Sequence, residues 1–117
     1  MKRDPRMYLW EARDAADHIR SFLLNRAFDE YLNDVMLRSA VEQQFEIIGE
    51  ALNQLSKTAP TLAARLPDTP RAISFRNRLI HGYMDTDHRV VWSIAHDDLS
   101  RLRDSVQALL QEPGEAS

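Results

Sequence analysis

Apolar residues recur at intervals of three and four over almost the whole chain, and this spacing restricts the possible folds more than any other feature. Leu9, Ala12, Ala16, Ile19 and Leu23 set the rhythm, which lines one face of an α-helix. Asp4-Pro5 before them offers an N-cap and a proline at the first helical position, so a helix is expected from there to near Asn25. A short connection through Phe28 and Tyr31 leads to Asn33 or Asp34, either of which can cap a second helix. There Val41, Phe45, Ile48, Leu52 and Leu55 repeat the spacing to about Lys57, and Ala40, Gln44, Ile47 and Ala51 widen the stripe. Three of the five prolines fall between Ala59 and Pro70, which predicts a connector with room for one helical turn at Leu62 to Leu66.

Thr69-Pro70 repeats the cap-then-proline signal and opens a third helix from Arg71 to about His81, with Ala72, Phe75 and Leu79 as its apolar line and Gly82 at its end. Asp87 is placed to cap a last helix in which Ala95, Leu99, Leu102, Val106 and Leu109 continue the rhythm until Pro113-Gly114 stops it. Strand-like alternation is nowhere sustained. The expected fold is all-α: an antiparallel four-helix bundle with one short additional helical turn, forming a single domain over residues 1–117 without repeat or linker. Stripes this wide can also bury surface between two copies, and a small domain gains much by doubling its core, so a homodimer is expected. Periodicity alone fits an intramolecular face equally well.

Composition narrows the function. Hydrophobic residues make up 44% of the chain and charged residues 28%, with three glycines, a balance that supports a packed core. No apolar run approaches the roughly 18 residues of a membrane span. The start MKRDPRMYLW lacks the apolar stretch of a signal peptide, so a soluble, cytoplasmic protein with no membrane partner is expected. With no cysteine there is no disulfide framework, thiolate zinc site, iron–sulfur cluster or cysteine nucleophile. A net charge of −3 argues against a surface that coats nucleic acid, although it is compatible with a cleft that engages a few phosphates.

The most unusual stretch runs Phe75-Arg76-Asn77-Arg78-Leu79-Ile80-His81-Gly82-Tyr83. From Arg71 to Met84 there are three arginines, one histidine and no acidic residue, a basic patch in an acidic chain. On a helix Asn77 and His81 share a face, Arg78 lies three residues from His81, and Arg76 has the length to reach round toward the imidazole. Such a set suits phosphodiester chemistry. Arginine grips phosphate through paired donors, and an ordinary histidine, with a pKa of about 6.5, exchanges a proton near neutral pH. An Arg/His pair on an amphipathic helix is also an ordinary solvated face, so the spacing by itself decides little. His18, His88 and His96 form no recognisable metal set, no cofactor is implied, and Asp97-Asp98 reads as a solvated pair.

The second helix adds a complementary signal. Glu42, Glu46 and Glu50 stand at four-residue steps between Ser39 and Ser56, a stretch without lysine or arginine. Like charges at that spacing repel mildly, so positive groups are expected to face them, or else the stripe is simply solvated. The arginines of the third helix are the obvious partners, within one chain or across a dimer, and such pairing would orient Arg76 or Arg78.

At these residues the chain resembles the HepT-like toxins of the HEPN superfamily, small helical proteins encoded beside a minimal nucleotidyltransferase. The family motif is arginine, four residues, histidine, any residue, tyrosine. Here it is complete as Arg76, Asn77-Arg78-Leu79-Ile80, His81, Gly82, Tyr83, and Asn77 is the polar residue favoured after the arginine. Ile47-Ile48-Gly49-Glu50-Ala51 and Val91-Trp92 are similar flanks, so the likeness spans roughly Tyr8 to Leu110. The resemblance implies a metal-independent endoribonuclease toxin acting as a homodimer, with His81 as base and Arg76 stabilising phosphate charge. It also implies that Asn77 positions the histidine or a phosphate, that Arg78 holds the RNA backbone, and that a partner nucleotidyltransferase antitoxin silences the toxin by adding AMP to Tyr83. A non-catalytic helical subunit that partners a nucleotidyltransferase is the alternative, and a purely structural helical dimer is a third reading.

Overall fold

The computed structural model describes residues 3–82 and 86–113, and its described residues form seven α-helices and no strand. They are α1 (Pro5–Leu23), α2 (Phe28–Leu32), α3 (Val35–Thr58), α4 (Pro60–Ala63), α5 (Thr69–His81), α6 (His88–Asp97) and α7 (Leu99–Gln111). No described helix is long and apolar enough to cross a membrane. The all-α expectation holds, and three of the helix starts carry a side-chain cap. The Asp4 carboxylate accepts from the Arg6 peptide N–H at 2.9 Å, Asp34 accepts from Leu37 at 3.0 Å, and Asp87 accepts from Arg89 at 2.9 Å. In each case a side chain satisfies a donor that the helix cannot. After α1 the chain turns through Asn25 at φ 60°, a left-handed conformation that asparagine tolerates better than most residues.

Four boundaries differ from the sequence expectation, three of them local. The connection through Phe28 and Tyr31 is itself a helix, α2. The Ala27 N–H donates to Glu30 Oε1 at 2.8 Å, and the Phe28 and Tyr31 rings pack on Trp92 with centroids 5.7 and 5.4 Å away. The short turn begins at Pro60, not Leu62, because proline at the first helical position can start a helix immediately after α3 ends. Thr69 does not cap α5; it is buried inside the first turn with its hydroxyl directed at the Ala63 carbonyl, and Asp68 takes the cap position.

The expected last helix is two helices that meet at Asp98, which closes α6 and opens α7. Aspartate is a poor helix-interior residue because its short carboxylate finds competing partners, and here Arg101 donates to it at 3.4 Å. The break lets the two helices serve different neighbours: α6 reaches α2, while α7 lies along α1. Arg103 Nε seals the latter pair, donating to Asp17 at 3.0 Å, and Arg6 donates to the Leu110 carbonyl at 2.6 Å.

One core runs through the described residues. Leu9 and Ile19 of α1, Val41, Leu52 and Leu55 of α3, and Leu99 and Val106 of α7 lie at its centre. Each such side chain contributes about 1.5–3 kcal/mol through its removal from water. The α5 helix takes a smaller share: only Thr69 and Leu79 are buried along it. It leans mainly on α3, through an edge-to-face contact of Phe75 on Phe45 with centroids 5.1 Å apart. Its polar side is therefore left outward and carries Asn77, Arg78 and His81.

Candidate functional site on helix α5

All of Arg76, Asn77, Arg78 and His81 lie on α5, with His81 as its last residue and Gly82 closing it. Gly82 ends the helix at φ −115°, an ordinary conformation. Tyr83 lies outside the described residues.

Arg76 is the most firmly placed of the four. Its Nη2 stands 2.9 Å from Glu50 Oε1 on α3, and its Nη1 donates to Asn77 Oδ1 at 2.8 Å. Its Nε is buried without a hydrogen-bond partner. The other oxygen of Glu50 accepts from Gln54 Nε2 at 3.0 Å, so one network runs from Gln54 through Glu50 and Arg76 to Asn77. Behind it the two helices approach closely at Gly49, where a β-carbon would meet Arg76 Cβ at 2.2 Å and the Ala72 carbonyl oxygen at 3.0 Å. Only a residue without a side chain leaves room for the arginine stem.

The expected convergence of guanidinium, amide and imidazole is realised in part. Arg76 and Asn77 meet, but His81 is exposed and bonds to neither among the described residues. Helix geometry explains this, since five positions carry His81 about 140° round the axis from Arg76, and Glu50 pulls the guanidinium toward α3. Arg78 departs in another direction. Arg76 lines a groove of about 580 Å³ together with Arg3, Glu46, Glu50 and Ile80. Arg78 borders a cavity of about 400 Å³ on the other flank of α5, floored by Phe45, Ile48 and Phe75.

The acidic stripe of α3 meets an expected arginine at one of its three positions and a histidine at another. Glu50 takes Arg76, and Glu42 faces His88 of α6 with 3.9 Å between Oε2 and Nδ1. Burial raises the Glu42 carboxyl pKa, opposed by the nearby His88 and Arg38. The Tyr31 hydroxyl close by is fully buried with no partner, and burial pushes its ionisation well above the ordinary phenol range. His96 points its ring nitrogen at the Trp92 carbonyl, and His18 pairs with Gln44. Among the described residues no three histidine or carboxylate side chains gather closely enough to hold a metal ion. Gly49 and Gln54 are the residues whose part in the Arg76 network sequence reasoning missed. The single helical glycine of α3 was the available signal.

The helices and the basic, amide-bearing motif on α5 define a small all-helical protein whose candidate chemistry sits on one lightly buried helix. The model of the family described as "Ribonuclease HepT-like" matches residues 12–109, and the chain belongs to this HepT-like ribonuclease family. It is 34% identical over 112 residues to "Probable ribonuclease HepT" of Thermococcus cleftensis, covering 93% of this chain and 98% of the relative. A Methanocaldococcus jannaschii protein provisionally named as an RNase is 29% identical over 108 residues, covering 91% of this chain and 96% of its own. No solved structure matches the chain.

Proposed function

We propose that this chain is a metal-independent endoribonuclease toxin that acts in the cytoplasm as a homodimer, with each chain a single domain contributing its α5 motif to a shared cleft. What most supports this reading is Arg76, fixed by Glu50 and Asn77, with an exposed His81 further along the same helix whose side chain bonds to none of the described residues, in a member of the HepT-like ribonuclease family. In the reaction, His81 takes the proton of a ribose 2′-hydroxyl, and that oxygen attacks the adjacent phosphorus. The bond from phosphorus to the 5′ oxygen breaks, and the leaving oxygen receives a proton from His81 of the second protomer. The product carries a 2′,3′-cyclic phosphate. Arg76 stabilises the charge that gathers on the phosphate oxygens, Asn77 holds Arg76, and Arg78 engages the RNA backbone.

Regulation follows from the same motif. A partner nucleotidyltransferase antitoxin would add AMP to Tyr83, two residues from His81. The added negative charge would repel an incoming phosphate.

Purified protein is expected to cleave RNA in the presence of EDTA, and His81→Ala is expected to abolish cleavage. Activity that persists in a clean His81→Ala preparation would sink the assignment. Nucleotide binding and stable capture of the nucleotidyltransferase without cleavage would instead favour a non-catalytic subunit. For the regulatory step, AMP mass must appear on the wild-type chain and not on Tyr83→Phe.

A further inference from the structure

The ribonuclease reading leaves one well-held carboxylate without a part. Glu50 lies in the middle of the 24-residue α3, away from the helix ends where its charge would meet the dipole. Both of its oxygens are nevertheless engaged, one with Arg76 Nη2 at 2.9 Å and one with Gln54 Nε2 at 3.0 Å. Arg76 is fixed at every level: its stem is packed over Gly49, its Nε is buried, and its Nη1 is bonded to Asn77. A guanidinium has five N–H groups. Asn77 takes one on Nη1, Glu50 stands against Nη2 as an ion pair, and the Nε–H is buried without a partner. At least one N–H on each terminal nitrogen is therefore left without a hydrogen bond among the described residues, on a side chain that lines the groove, and paired N–H groups are what bidentate phosphate recognition requires.

We propose that Glu50 is the positioning residue for Arg76: its carboxylate turns the guanidinium so that the remaining terminal N–H groups face the groove, and Gly49 lets α3 approach closely enough to do so. The catalytic consequence rests on the ribonuclease reading; the structural one rests on the Arg76 network alone. A competing role for the same ion pair makes the opposite prediction. If Glu50 merely competed with phosphate for Arg76, its removal would strengthen RNA binding.

Glu50→Ala is expected to lower kcat about 10- to 100-fold, the scale of a misplaced catalytic group, with KM changed by less than about threefold. Glu50→Gln, which keeps an acceptor oxygen without the charge, should fall between wild type and Glu50→Ala. In ¹⁵N NMR the Arg76 Nε–H should exchange slowly with solvent in the wild type and faster in both variants, with thermal midpoints little changed. An unchanged kcat with a lower KM would overturn the proposal, and so would an unaltered Nε–H exchange rate. If wild-type cleavage survives His81→Ala, the ribonuclease reading fails by itself, and the NMR measurement still decides whether Glu50 holds Arg76.

Discussion

Gly49 of α3 and Arg76 of α5 are packed so closely that a single methyl group on the glycine would lie 2.2 Å from Arg76 Cβ. The interface between these helices is closed around the absence of a side chain, and that absence fixes where the arginine stem can stand.

Gly49→Ala is therefore expected to reverse the usual helix preference. In an exposed helix interior, alanine in place of glycine stabilises by about 1 kcal/mol. Here the added methyl must push α5 away, and overpacking of this kind costs about 1–3 kcal/mol. Chemical denaturation checks the sign: a variant as stable as the wild type would mean that α5 moves aside freely.

Tyr31→Phe should hold or raise stability, since the hydroxyl is fully buried without a partner and such a group costs free energy. The pH dependence is also specific. Burial raises the folded-state pKa of Tyr31 above its unfolded value of 10.0, so the unfolded chain loses this proton first. Stability is unaffected by the group below about pH 10 and falls as pH rises beyond it. Denaturant midpoints measured through the alkaline range should show a shallower decline in Tyr31→Phe than in the wild type.

Glu42→Gln tests the same logic at acid pH. Burial raises the Glu42 pKa above its ordinary 4.5, so the folded chain holds this proton more tightly than the unfolded one. Its contribution is most favourable below the unfolded pKa and diminishes as pH rises through the folded value. Glu42→Gln should gain stability over the wild type at about pH 7, and that advantage should shrink toward about pH 4. An advantage that grows on acidification would show that the ion pair with His88 outweighs burial.

Helix positions were readable from sequence wherever one apolar stripe faced one neighbour. The α1 and α3 helices follow their caps at Asp4 and Asp34 because those carboxylates act locally, on donors two and three residues away. The break at Asp98 was hidden because Ala95, Leu99 and Leu102 keep the three-four rhythm across it. What divides the helix is the separate demands of α2 and α1 on either side, a tertiary effect that periodicity does not carry. The α2 helix was missed for a similar reason, since its stability comes from Trp92, more than 60 positions away. At the candidate site, the spacing of the α3 glutamates left positive partners and a solvated stripe both open, and the contact of Glu50 with Arg76 decides for a partner at that position. The turning of Arg76 away from His81 was not readable from sequence, because it depends on which of three glutamates lies within reach.

The position of His81 at the last residue of α5 has an entropic consequence. Arg76, in mid-helix, has already lost its rotamer freedom to Glu50, Asn77 and the packing over Gly49. His81 has surrendered almost none, being exposed on the final turn, where helices fray. In the proposed reaction, the ordering cost of bringing the pair to bear on a phosphate, about 0.5–1.5 kcal/mol for an immobilised side chain, would therefore fall mainly on the imidazole.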